Sequence, residues 1–285
     1  MRQNSPALRR LGQAGLLLAA IAAPGWGLAG PARAQAPAPA DAALDTTKLV
    51  PQTGPAFRQV EALGRQIYAL DGAAALANAA LRQGGIDPQA AGITGWVTEP
   101  AANGVLVRFV RQGAQGPEAA FDVTIDAGGG RPTVARRDGS PLTADQAAQF
   151  AAVQLAQGRL EQPCSKTYVP VVFRDPGTHN WRVYLLAQPP QPGVFMVGGH
   201  HRFVVSADGR RIQSGGRLPP PSCLAGEAVS EGRPAVAMAV AETQVNMPTE
   251  MHVYLSLRNR LPLVVLTMDG RRWYVSNGSI AAVRQ

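Results

Sequence analysis

Residues 168–187 read YVPVVFRDPGTHNWRVYLLA, two seven-residue runs of valine, leucine and aromatic residues parted by a segment that carries Pro176 and Gly177. β-branched and aromatic side chains suit a pleated, half-buried surface, and proline and glycine turn the chain between such runs. The pair predicts strands of an antiparallel sheet. Downstream, residues 194–197, 202–206 and 211–214 repeat the pattern, and residues 235–243, 252–257, 263–268 and 272–276 form four further β runs with short connections. Asp269-Gly270 is a two-residue hairpin signal, so a β-meander is the expected ending.

Upstream the period changes. Phe57, Val60, Leu63, Ile67 and Leu70, then Ala74, Ala77 and Leu81, recur at three- and four-residue steps. That spacing predicts one or two helices that stop at Gly84-Gly85, with Asp71-Gly72 offering a break. Residues 105–111 (VLVRFVR) and 119–126 (AAFDVTID) are β candidates. Gly128, Gly129 and Gly130 read as a turn, because the extended Arg131-Pro132-Thr133-Val134 follows instead of the helix N-terminus a phosphate loop needs. Thr143 with Gln146 three residues on predicts a capped helix running through Phe150 and Val153 to Gly158. The fold class is α+β: N-terminal helices, then antiparallel β-sheets ending in a β-meander.

Three strand candidates end in an acid and a glycine, at Asp126, Asp208 and Asp269. Asp and Gly tolerate the backbone of tight turns, so these acids read as turn residues rather than catalytic groups.

The N-terminal residues speak to compartment. Arg2, Arg9 and Arg10 form a basic start, residues 15–23 (GLLLAAIAA) a short apolar run, and Ala32 and Ala34 the small residues of a cleavage site. Residues 1–34 are therefore expected to be a signal peptide, with Gln35 the first mature residue and a periplasmic or secreted location. The apolar run is about half the roughly 20 residues of a spanning helix, so no transmembrane anchor is expected after cleavage. Whether export is secretory or twin-arginine is left open by Arg9-Arg10, although Gly12 departs from the twin-arginine pattern.

The formal net charge is +8, from 27 Lys and Arg against 19 Asp and Glu, and losing the leader with its four arginines lowers it to +4. Basic residues form no stripe interleaved with aromatics, so no nucleic-acid partner is expected. Cys164 and Cys223 are the two cysteines, and an even count in an exported chain predicts a disulfide, here closing a 60-residue ring. The expected domains are the signal peptide 1–34, an Ala/Pro-rich lead-in 35–55, a helical and β-hairpin region 56–160, and an antiparallel β region 161–285 stapled by that bridge.

Residues 197–210 (VGGHHRFVVSADGR), 222–224 (SCL) and 248–275 resemble a group of uncharacterised exported proteobacterial proteins. The strand, strand, Asp-Gly grammar also resembles PepSY-type periplasmic modules, which pair a short helix with a hairpin sheet and are associated with inhibiting or chaperoning peptidases. Neither resemblance supplies a catalytic residue.

The sequence contains no nucleophile elbow, HExxH, Walker or dinucleotide pattern. Ser165 beside Lys166 is the nearest approach to a Ser-Lys pair, but adjacency does not give an amine the geometry of a base. His200 and His201 follow a glycine pair, and strand alternation would send their rings to opposite faces, one partly buried and one at the surface. The leading expectation is a non-catalytic envelope binding protein without a cofactor, offering a sheet edge or concave face to a protein, peptide or envelope ligand. The alternative is a metal-dependent hydrolase drawing ligands from His179, His200, His201 and His252, with Glu250 on the same strand face as His252.

Overall fold

The computed structural model describes residues 46–227, 229–230, 233–242 and 244–284. The expected signal peptide and residues 35–45 of the lead-in lie outside the described residues. The remainder of the lead-in belongs to the fold. A 3-10 turn, Thr46–Lys48, leads into strand β1 (Leu49–Pro51), which pairs antiparallel with the last strand of the chain.

Helix α1 (Pro55–Gln83) is continuous. Pro55 sits in its first turn, where a fixed φ and a missing N–H are tolerated. The expected break at Asp71-Gly72 does not occur. An interior glycine costs only about 1 kcal/mol relative to alanine, and the buried Asp71 ties the helix to its neighbour by accepting from the Tyr254 hydroxyl at 3.1 Å and pairing with Arg258 at 3.2 Å.

Strands β2 (Ile93–Ala101), β3 (Gly104–Gly113), β4 (Gly116–Asp126) and β5 (Thr133–Pro141) form an antiparallel sheet in chain order. β3 and β4 contain the expected runs. β2 escapes sequence reading because Gly95 and Pro100 interrupt it, and β5 because none of its residues is buried. Helix α2 (Ala144–Gln157) starts with the expected capping box: Thr143 Oγ accepts from Gln146 N at 3.3 Å, and Gln146 Oε1 accepts from Thr143 N at 3.0 Å.

The next strands are β6 (Tyr168–Arg174), β7 (Trp181–Ala187), β8 (Val194–Met196), β9 (His201–Val205), β10 (Ile212–Arg217), β11 (Ala225–Glu227), β12 (Val229–Ser230), β13 (Arg233–Pro234) and β14 (Met238–Ala241). β10-β9-β7-β6 is a four-stranded antiparallel sheet, while β8 pairs β11 and β12 pairs β13.

The chain then departs from expectation. Residues 252–257, read as a strand, lie within helix α3 (Glu250–Asn259), followed by β15 (Leu263–Leu266), β16 (Arg272–Ser276) and β17 (Ser279–Val283). The sheet order is β1-β17-β16-β15-β14, with β14 and β15 parallel. A parallel pair needs a crossover, and α3 is that crossover. The meander is thus confined to β15, β16 and β17. The misreading has a physical cause, since Glu250 through Ser256 are all buried and a helix enclosed on every side shows no 3.6-residue stripe.

Two faces of the four-stranded sheet find different partners. Val172, Val183, Leu185, Phe203 and Val205 meet Ala152, Val153 and Ala156 of α2. Val171, Phe173, Tyr184 and Leu186 join a core with α3, Ile67 of α1 and the inner face of the five-stranded sheet. α1 crosses α3 at Gly64, where an added Cβ would lie 2.5 Å from Val253 Cβ. Only glycine permits that approach.

Candidate binding cleft

His201 opens β9, and the two histidines do point to opposite faces, but both are buried, each 3 % exposed, so the expectation of one surface ring is corrected. His200 lies edge-on to Tyr254 of α3, and its Nδ1 accepts the Ala187 N–H at 3.1 Å. The ring proton therefore sits on Nε2, which donates to Met196 O at 3.2 Å. Burial, opposed by the Met196 carbonyl and aided by His201, lowers the His200 pKa to about 4. His200 is a neutral bridge from β7 to β8.

His252 is occupied in a similar way. Its Nδ1 accepts the Thr249 N–H at 2.9 Å, and Nε2 then donates to Glu242 Oε1 at 2.9 Å. Thr249 Oγ1, 3.1 Å from Nδ1, completes a hydroxyl, imidazole and carboxylate row. The lone pair that would act as base is already committed to a backbone N–H, which disfavours a nucleophile there. Glu250 does not share a face with His252, because positions two apart in a helix are separated by about 200° around its axis. It accepts instead from Tyr184 Oη at 3.1 Å and Arg202 Nη1 at 2.6 Å, and burial with the Glu250 charge pushes the Tyr184 hydroxyl well above its ordinary pKa. His179 is exposed in the turn between β6 and β7. The four histidines are not brought together, and among the described residues no three His, Cys, Asp or Glu side chains are grouped to hold a metal ion. Ser165 Oγ is held by the carbonyls of Thr167 at 2.9 Å and Gln188 at 2.7 Å, away from any base role.

His201 faces the other way, toward a cleft of about 550 Å³. Phe203 and His201 of β9 line it, with Ile212, Gly215, Gly216 and Arg217 of β10 on one side and Arg159, Glu161 and Gln162 after α2 on the other. Gly215 pairs directly with Phe203, so no β10 side chain covers that ring. The His201 ring stacks over Phe203 at 6.2 Å and meets Tyr168 edge-on at 5.8 Å, while its buried Nδ1 has no hydrogen-bond partner among the described residues. Burial, then the Arg217 charge, lowers its pKa against the pull of the Gly199 carbonyl.

The cleft walls are fastened. Cys164 and Cys223 form the expected disulfide. Arg217 donates to Pro221 O at 2.8 Å, Gln162 O at 2.5 Å and Glu161 O at 3.4 Å. Tyr168 Oη accepts from Cys164 N at 2.9 Å and donates to Gly199 O at 3.2 Å. The glycine pair before the histidines now has its reason. A Cβ on Gly198 would fall 2.2 Å from Ser222 O, and one on Gly199, at φ +83°, 2.5 Å from Cys164 Cβ. The glycines let the disulfide loop lie on the strand.

Sequence reading found His201 and the cysteines but missed Arg159, Glu161, Phe203, Gly215 and Arg217. The available signal was the pair of cysteines, each of which closely follows one wall: residues 159–162 precede Cys164, and Gly215–Arg217 precede Cys223. Compared with known proteins, the chain matches no family model, and no curated protein or solved structure is significantly similar to it.

Proposed function

We propose that this chain is an exported, non-catalytic binding protein of the cell envelope, periplasmic or secreted, whose ligand occupies the cleft over His201 and Phe203. The observation that carries the reading is the concentration of constraints around one cleft: the disulfide, three Arg217 hydrogen bonds and the close-packed Gly198-Gly199 all fix its walls. A preset cleft lowers the ordering cost of binding. Its lining carries no hydroxyl, thiol or amine nucleophile, and offers instead an aromatic floor, two arginines and an open strand edge. The leader-like pattern of residues 1–34 and the disulfide support the compartment.

Chemical-shift mapping tests the proposal. Isotope-labelled protein is titrated with peptides selected from a display library and, separately, with soluble peptidoglycan fragments. One class should shift the amides of Phe203, Gly215 and Gly216 and be recovered intact. Shifts confined to another face, or conversion of the added compound, would overturn the reading.

A further inference from the structure

We infer that the occupant of this cleft is an extended peptide segment that adds to β10 as a fifth strand and points an acidic side chain at Arg159, an inference that rests on the binding reading above. β10 is an edge, partnered by β9 alone among the described strands. Leu218 donates its N–H to His200 O at 2.8 Å, and the register continues as Arg217 opposite His201, Gly216 opposite Arg202 and Gly215 opposite Phe203. Antiparallel ladders alternate bonded and non-bonded pairs, so Gly216 turns its N–H and C=O inward while Gly215 and Arg217 turn theirs toward the free edge. Those groups are a template for another strand. A natural edge is commonly blocked by large charged side chains or proline, yet two glycines sit here, and an added Cβ on Gly216 would meet nothing within 4 Å.

Charge selects the side chain. Arg159 is exposed, and its guanidinium makes no hydrogen bond or ion pair with a described residue. Arg217 is held by backbone carbonyls, which leave its charge unneutralised. Against these two cations the lining sets one acid, Glu161. A strand laid on β10 turns alternate side chains toward the cleft, over Gly215 and the largely buried Phe203 ring beside it. A carboxylate there meets Arg159, whose planar fork suits it, while apolar neighbours pack over Gly215, where β10 has no side chain.

The experiment selects a randomised twelve-residue peptide display library against the intact, oxidised chain and synthesises the enriched sequences. The expected result is Asp or Glu at one fixed position, at least a tenfold loss of affinity when that residue becomes its amide, and the same loss with Arg159→Gln. The two changes together should cost no more than either alone. N-methylation at alternate peptide amides should abolish binding, and at the intervening amides should not. Enriched peptides that shift Gly215 and Gly216 but tolerate the amide or Arg159→Gln would overturn the acidic specificity and leave the cleft reading standing. Indifference to N-methylation would overturn strand addition, and no enrichment at all would overturn the peptide inference while the peptidoglycan titration still decides the cleft reading.

Discussion

The two sides of β9 treat polar groups in opposite ways. Toward α3, His200 spends both ring nitrogens on backbone groups, and Arg202 and Tyr184 converge on Glu250. Toward α2, among the described residues, His201 keeps a buried nitrogen with no partner and Arg159 an unpaired charge at the cleft rim. One strand thus carries a completed network on one face and an incomplete one on the other. Completed networks fix structure, whereas unfilled hydrogen-bonding capacity beside a cleft is where a ligand can add free energy.

The comparison breaks first at the staple. Replacing Cys164 and Cys223 with serine should cost about 4 kcal/mol, the chain-entropy value for a 60-residue ring. The structural consequence should be one-sided. Hydrogen exchange should quicken at residues 159–168 and 215–223 while α3 keeps its protection, because the bridge fastens only the cleft walls. Equal loosening of both sides, measured alongside denaturant unfolding, would show that the faces are not independent.

The next effect is on the completed face. His200→Leu removes the acceptor of Ala187 N–H and the donor to Met196 O, leaving two buried backbone groups unpaired. At about 1–3 kcal/mol for each orphaned group, less what the added apolar surface returns, the expected loss is about 2–4 kcal/mol. Urea unfolding at pH 7 measures it. A loss under half a kcal/mol would mean the bridge is ornamental.

Proton linkage then follows on the same ring. The folded pKa of His200 is about 4 against an ordinary imidazole value of 6.5, so the unfolded chain binds the extra proton between those values. Its contribution is full above pH 6.5 and is lost as pH falls toward 4. Between pH 7 and 4.5 the protein should lose roughly 2–3 kcal/mol from this group, and the lowered pKa of His201 adds to the loss in the same direction. Asp175, held near 2 by the Thr178 N–H and Arg182, enters only at lower pH. In His200→Leu the slope over this window should shrink markedly. An unchanged slope would place the linkage elsewhere.

These contrasts show how far the sequence could be read. Strands 168–174 and 181–187 and the Thr143 capping box were legible because alternation and capping are local chemistry. Helix α3 was not, because burial all round erases the stripe that distinguishes a helix from a strand of the same apolar residues. His200 and His201 were placed on opposite faces by strand alternation alone, but nothing local announced that α3 and the disulfide loop would cover both. The cleft was illegible for a further reason. Its walls meet only after β10 pairs with β9, and its defining residue, Gly215, acts by lacking a side chain opposite Phe203.

The smallest expected change in stability is the sharpest test of the comparison. His201→Leu removes an imidazole as buried as that of His200, which immediately precedes β9. If burial alone set the cost, the two replacements should match. They should differ, because His201 Nδ1 has no partner to lose, and removing an unpaired buried nitrogen cancels its desolvation penalty. Leucine also retains apolar contact with Phe203 and Tyr168. The expected change is within about 1 kcal/mol of zero and can favour the variant. Peptide affinity reports on the other half of the argument: the same replacement should weaken a selected acidic peptide severalfold, since the ring forms part of the cleft floor, while His200→Leu, compared under conditions where both variants are folded, should leave that affinity nearly unchanged. Stability loss at both histidines with affinity loss at neither would erase the distinction between the two faces of β9.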